Sequence, residues 1–361
     1  MFRSVIALFL IALNCLNAQY LKPKNIIILI GDGMGINYVG VSVLQDSTSP
    51  FKEFKTIGLS ITCSADKLIT DSAAGATAIA TGYLTNNKYI SVDTLGTPLY
   101  TLFEHAEKLG LSTGIVVTST VSHATPGAFV GHTNDRNDQV LIASQMVDNN
   151  IDLVIGGGLK YFLPKNLFGE REDNLNLTKR LSEKGYYLPK NYDELLSLPD
   201  SVQEIYALFE LDGLPGATYR KYSLGDLTKN AINHLNNDSD GFVLMIEGSQ
   251  IDWAGHDHKS KELLDEMNDF SSAIKKALDF AKKDGNTLVL VTADHETGGM
   301  SIINGNKDGT GLELSYTTLN HTPSPVGIFT FGPGAEFFNG IMNINRIGQK
   351  LFFLLDSSYK F

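Results

Sequence analysis

Cysteine is nearly missing from this chain: Cys15 and Cys63 are the two in 361 residues. If Cys15 leaves with an export signal, no intrachain disulfide can form, and the core must hold the fold without one. No motif surrounds Cys63, so it reads as a buried structural thiol rather than a nucleophile. Basic residues are scarce too, 29 Lys and Arg against 40 Asp and Glu, for a net charge of −11. That balance excludes a generic nucleic-acid surface or an anionic membrane as partner. There is no internal repeat and no long linker, and the apolar run at 5–13 is too short to cross a bilayer. No Gly-x-Ser-x-Gly motif surrounds Ser72, which argues against the common serine-esterase design.

What is present begins with an export-type N-terminus. Arg3 supplies positive charge, 5–13 an apolar core, and Ala18 a small residue before Gln19, so a signal peptide at 1–18 is expected. Lipid anchoring at Cys15 and a retained anchor are the alternatives. The mature protein is expected to be exported, periplasmic or secreted. Hydrophobic residues make up 43% of the chain, enough for a large core. Six apolar runs, 25–30, 114–118, 152–155, 242–246, 287–292 and 326–331, read as buried strands of a parallel sheet. Helical patterns alternate with them. The clearest spans 260–283, with Leu263, Met267, Phe270, Ile274, Ala277 and Ala281 on one stripe and Asp284-Gly285 as the stop. Alternation predicts a doubly wound α/β fold, a mainly parallel sheet with helices on both faces. Gly156-Gly157-Gly158 reads as a flexible turn. The polar, proline-containing stretch at about 160–225 reads as an irregular insertion covering the sheet, within a single domain at 19–361.

The polar motifs follow the strands. Asp32 follows the first, His123 and Thr125 the second; Glu247 ends the fourth, with Asp252 and His256 soon after; Asp294 and His295 follow the fifth. Ligands of open α/β sheets bind at the carboxyl ends of strands, so these residues should converge. Four carboxylates in one cleft need cations, which the formal charge count omits. Asp with His favours zinc; carboxylate and hydroxyl oxygens favour magnesium. Ser72 opens a run of small residues, 72–78, that reads as a tightly packed helix whose N-terminus favours an anion.

Six motifs, in order, resemble those of alkaline phosphatases: Ile30-Gly31-Asp32-Gly33-Met34-Gly35, Thr70-Asp71-Ser72-Ala73-Ala74-Gly75-Ala76-Thr77-Ala78, His123-Ala124-Thr125-Pro126, Glu247-Gly248-Ser249-Gln250-Ile251-Asp252, Thr292-Ala293-Asp294-His295-Glu296-Thr297-Gly298-Gly299 and His321-Thr322. The chain is similar to the small bacterial members. The resemblance implies a three-layer sandwich and hydrolysis of phosphate monoesters through a phosphoserine on Ser72, with an alkaline pH optimum. It implies one zinc held by Asp32, Asp294 and His295, and a second by Asp252, His256 and His321. One magnesium would be held by Asp32, Thr125 and Glu247. Arg136 falls at the family's phosphate-gripping arginine, whose fork can bind two oxygens. The family also implies a homodimer. Two departures stand out: His123 where the best-known bacterial pattern has an acid, and Trp253 where it has lysine. Both are expected at the substrate side of the site, and they leave the third ion's identity open. A phosphodiesterase of the same superfamily and a non-catalytic phosphate-binding protein are the competing functions. A sulfatase would need a Cys or Ser followed by x-Pro-x-Arg, which Ser72 lacks.

Overall fold

The computed structural model describes residues 22–361. The signal-peptide reading, with Ala18 and Cys15, falls outside them. Nine strands form one sheet: β1 (Asn25–Gly31), β2 (Thr56–Ile61), β3 (Ser112–Thr120), β4 (Leu153–Gly157), β5 (Ile205–Leu208), β6 (Phe242–Gly248), β7 (Thr287–Thr292), β12 (Val326–Phe331) and β13 (Gly340–Asn343). The short strands β8 (Glu296–Thr297), β9 (Ser301–Asn304), β10 (Glu313–Ser315) and β11 (His321–Thr322) form two small ribbons, β9 with β10 and β8 with β11. The order of the large sheet is β13-β2-β12-β7-β1-β6-β3-β4-β5. Every pairing in it is parallel except those of β12, which is antiparallel to both β7 and β2.

Alternate side chains of the central strand β1 enter opposite cores. Ile26, Ile28 and Ile30 pack with the helices Ser72–Thr81, Leu102–Lys108, Ala124–Val130, Gln139–Asp148 and Asn345–Leu355. Ile27 and Leu29 pack with Ile36–Gln45, Leu224–Leu235 and Ser260–Asp284. Burial on both faces is why these strands read as unbroken Val/Ile/Leu runs. Among the described residues, no helix is long and apolar enough to cross a membrane.

Four expectations change. The run at 326–331 is not parallel to its neighbours; β12 runs the other way, and hydrophobicity alone carries no direction. Three strands of the large sheet were missed: β2, whose burial alternates, β13, which is largely exposed, and β5; so were the four short ribbon strands. β5 extends the sheet from within the stretch expected to be irregular, pairing with β4. Gly156 and Gly157 are not a turn but the end of β4, paired with β5 and β3, and glycine is required at 157 because a Cβ there would lie 1.9 Å from the Asp212 carbonyl oxygen. Only Gly158, at φ +93°, turns the chain. Cys63 is half-buried, not buried.

The amino ends of β3 and β4 carry a separate acidic group. The Asp152 carboxylate accepts from the Thr113 amide at 2.7 Å, and Glu107 accepts from the Thr113 hydroxyl at 2.5 Å. Burial, with Asp152 and Asp238 nearby, pushes Glu107 up to about 7. The folded state therefore holds a proton there that the unfolded chain has already lost, and stability falls as pH rises from the ordinary carboxyl range through about 7. Glu107→Gln should raise the melting temperature by about 2 °C at about pH 8.5 and leave it unchanged at about pH 5. Equal shifts at both pH values would refute this.

Candidate active site

The site forms where the strands end. β1 delivers Asp32, β6 delivers Glu247, and β7 delivers Asp294 and His295. Because β12 is reversed, its beginning lies at this same edge, and β11 just before it brings in His321. β2 ends here too and leads through a loop to Ser72.

Ser72 is the first residue of the helix Ser72–Thr81, capped by Asp71, whose side chain accepts from the Ala74 amide. All ten helix residues are buried, and the small side chains are a packing requirement. A Cβ on Gly75 would come within 2.7 Å of the Asp294 carbonyl oxygen. Close approach brings Ser72 Oγ to 3.1 Å from His295 Nε2, while Arg136 Nη2 lies 3.5 Å from the same Oγ. The other Asp71 oxygen holds Arg136 Nη1 at 3.1 Å. Asp71 thus orients both the helix and the guanidinium.

Three groups of side chains offer ligand atoms that lie within 4.8 Å of one another: Asp32, Asp294 and His295; Asp252, His256 and His321; and Asp32, His123 and Glu247. Asp32 belongs to two of them. Asp252 and His256 share the short helix Gln250–His256. The Nδ1 atoms of His256 and His321 face the carbonyl oxygens of Leu319 and Thr70 at 2.5 and 2.9 Å. A carbonyl only accepts, so each Nδ1 carries a proton, and in the neutral ring each Nε2 presents its lone pair. Those two Nε2 atoms are 3.1 Å apart and lie 3.3 and 3.6 Å from Asp252 Oδ1.

Electrostatics sharpens the case. Burial and the neighbouring carboxylates push Asp32 well above its ordinary range and Asp294 up to about 8. Burial takes Glu247 to about 7 against the hydrogen bonds of Ser249 and Ser119. Burial also lowers His123 to about 4. Both oxygens of Asp32, Asp294 Oδ2, Glu247 Oε1, Thr125 Oγ1 and His123 Nδ1 are buried with no hydrogen-bond partner. Buried polar atoms are almost always satisfied, so this many orphans in one cleft fit bound cations.

Residues 23–314 match the family model of alkaline phosphatase. The chain belongs to the alkaline phosphatase family. It is 41% identical over 298 residues to alkaline phosphatase 3 of Bacillus subtilis, covering 77% of this chain and 62% of that protein. To alkaline phosphatase 4 of the same organism it is 40% identical over 305 residues, covering 79% and 64%. The chain therefore spans less than two thirds of the length of these relatives. Among solved structures, alkaline phosphatase from the Antarctic bacterium TAB5 superposes with a TM-score of 0.86 at 35% identity, covering 93% of this chain and 98% of that one. A His-to-Asp mutant of the TAB5 protein has Mg bound in its M3 site. Thermus thermophilus alkaline phosphatase has the same fold, with a TM-score of 0.85 at 21% identity.

Eleven of the twelve residues singled out from sequence thus lie in or beside these clusters or against Ser72. Trp253 sits further out. It is 39% exposed, its ring meets the His123 ring edge-on at 6.4 Å, and it lines a cavity of about 300 Å³ with Tyr219, Asp257 and Glu266. Sequence reasoning gave no role to Asp71 or Thr297, though both stood inside the quoted motifs. Asp32→Asn should raise the melting temperature of metal-free protein by about 3 °C near pH 8, because it removes one of four crowded carboxylates. The same change should lower that of zinc-loaded protein by about 5 °C or more. Shifts of one sign in both forms would show that no cation uses Asp32.

Proposed function

We propose that this alkaline phosphatase family member is an exported phosphomonoesterase in which Ser72 is the nucleophile and the three clusters hold two zinc ions and one magnesium. The observation that carries this reading is Ser72 Oγ at a helix N-terminus, 3.1 Å from His295 Nε2, 3.5 Å from Arg136 Nη2 and beside carboxylates with no partner of their own. The donor sets support the metals assigned. Asp32, Asp294 and His295, and Asp252, His256 and His321, mix nitrogen and carboxylate in the way zinc prefers. Asp32, Thr125 and Glu247 offer the oxygens magnesium prefers. When bound, these ions would supply Lewis-acid charge that lowers the pKa of the serine hydroxyl and neutralises phosphoryl oxygens.

The chain's own residues do the rest. Arg136, held by Asp71, grips two oxygens of a monoester and sets phosphorus in line with Ser72 Oγ. Oγ gives its proton to water and bonds to phosphorus as the bond to the leaving oxygen breaks, and that oxygen takes a proton from water to depart as the alcohol. The phosphoserine is then cleaved by water, returning Ser72 and releasing inorganic phosphate. Loss of the Oγ proton makes activity rise toward alkaline pH.

His123 and Trp253 tune the third site. His123 puts a neutral nitrogen beside Asp32 and Glu247, which suits zinc better than magnesium. Magnesium should be weakly retained and should activate when added, with excess zinc competing. The TAB5 His-to-Asp mutant has Mg bound in its M3 site, which makes a His-to-Asp change at His123 the natural variant to test.

Ser72→Ala should lose activity by about 1,000-fold or more while retaining its metals, and acid trapping should label Ser72 alone. A label elsewhere overturns the assignment, and a diester hydrolysed faster than the monoester overturns the substrate class. His123→Asp combined with Trp253→Lys should tighten magnesium and phosphate binding and slow turnover. Unchanged magnesium affinity and product inhibition would refute the role of this pair.

A further inference from the structure

The cluster of Asp32, Asp294 and His295 and that of Asp252, His256 and His321 are joined by a side chain that neither contains. Thr297 is fully buried. Its hydroxyl donates to Asp252 Oδ1 at 2.5 Å and lies 3.3 Å from His295 Nδ1. A hydroxyl has one proton. With that proton directed to the carboxylate, Thr297 Oγ1 can only accept from the imidazole. His295 must then carry its proton on Nδ1, leaving the Nε2 lone pair toward Asp32 Oδ1 and Asp294 Oδ2, each 3.3 Å away. His256 and His321 have their tautomers set by backbone carbonyls. The Nδ1 side of His295 faces this threonine, while Ser72 Oγ lies 3.1 Å from its Nε2.

The backbone of Thr297 is fixed on three sides. It pairs with His321 across β8 and β11, its N–H donates to the Gly33 carbonyl at 3.1 Å, and its carbonyl accepts from the Tyr38 hydroxyl at 2.5 Å. Gly33 in turn donates to Asp294 Oδ1 at 3.2 Å. It has φ +67°, and a Cβ there would lie 2.5 Å from Thr297 Oγ1. Thr297 therefore touches His295 of one cluster and both Asp252 and His321 of the other.

We propose that Thr297 is a positioning residue that couples the two zinc clusters, so that neither reaches full affinity without its hydroxyl. This rests on the metal reading given above. Outer-shell partners of this kind typically change metal affinity by about 10–100-fold. The opposing expectation is a threonine that merely fills space, which valine would replace without effect.

The test titrates metal-free protein with zinc against a chromophoric chelator, comparing wild type, Thr297→Val and Thr297→Ser. Thr297→Val should weaken zinc at both clusters by about tenfold, Thr297→Ser should stay within about threefold of wild type, and all three should melt alike when metal-free. Valine affecting neither cluster, or only one, overturns the proposal, as does serine weakening zinc as much as valine. Should the valine variant not fold, Tyr38→Phe frees the same backbone carbonyl and should weaken both clusters by about twofold or more; unchanged binding overturns the coupling. Wild type that takes up no zinc overturns the metal reading itself. Two bound ions beside an unaffected valine variant overturn the coupling alone.

Discussion

Four carboxylates, Asp32, Glu247, Asp252 and Asp294, converge in one buried cleft, and their mutual repulsion is the constraint around which the site is built. All four are buried, and Asp32 has no hydrogen-bond partner at either oxygen. Asp252 alone is held well below its ordinary range: burial works against it, but His256, His295 and His321 surround it. Groups placed this way would normally take up protons or be lost from a core. In the function proposed, bound cations would resolve the conflict and would let an acidic protein attract a phosphate.

The fold provides this convergence because a parallel sheet delivers several loops to one edge. The reversed strand β12 adds to the same edge by its beginning rather than its end, which is how His321 arrives beside Asp252. The helix carrying Ser72 reaches this crowded place only because it is made of small residues and meets the Asp294 backbone at a glycine. Thr297, fully buried, and Gly33 complete the arrangement from behind.

Much of this was legible in the sequence, for physical reasons. Central strands buried on both faces are apolar throughout, so β1, β6 and β7 announce themselves, and the polar residues just after them mark the cleft. β2 and β13 escaped because partly or largely exposed strands lack that signature, yet β2 leads to Ser72; β5 is buried throughout but only four residues long. The direction of β12 depends on its partners and is not encoded in its own hydrophobicity. Asp71 and Thr297 stood inside recognised motifs, but their roles depend on atoms more than sixty and forty residues away, Arg136 and Asp252. Trp253 was expected closer in; its exposed ring lies behind His123 at the rim.

The central claim is that the carboxylates and histidines are a cation cradle facing Ser72. Anomalous diffraction at the zinc edge from crystals grown with zinc and vanadate tests it most directly. The account predicts one strong peak among Asp32, Asp294 and His295, a second among Asp252, His256 and His321, and vanadate on Ser72 Oγ gripped by Arg136. Zinc peaks elsewhere, or vanadate bound away from Ser72 with these side chains unoccupied, would contradict it.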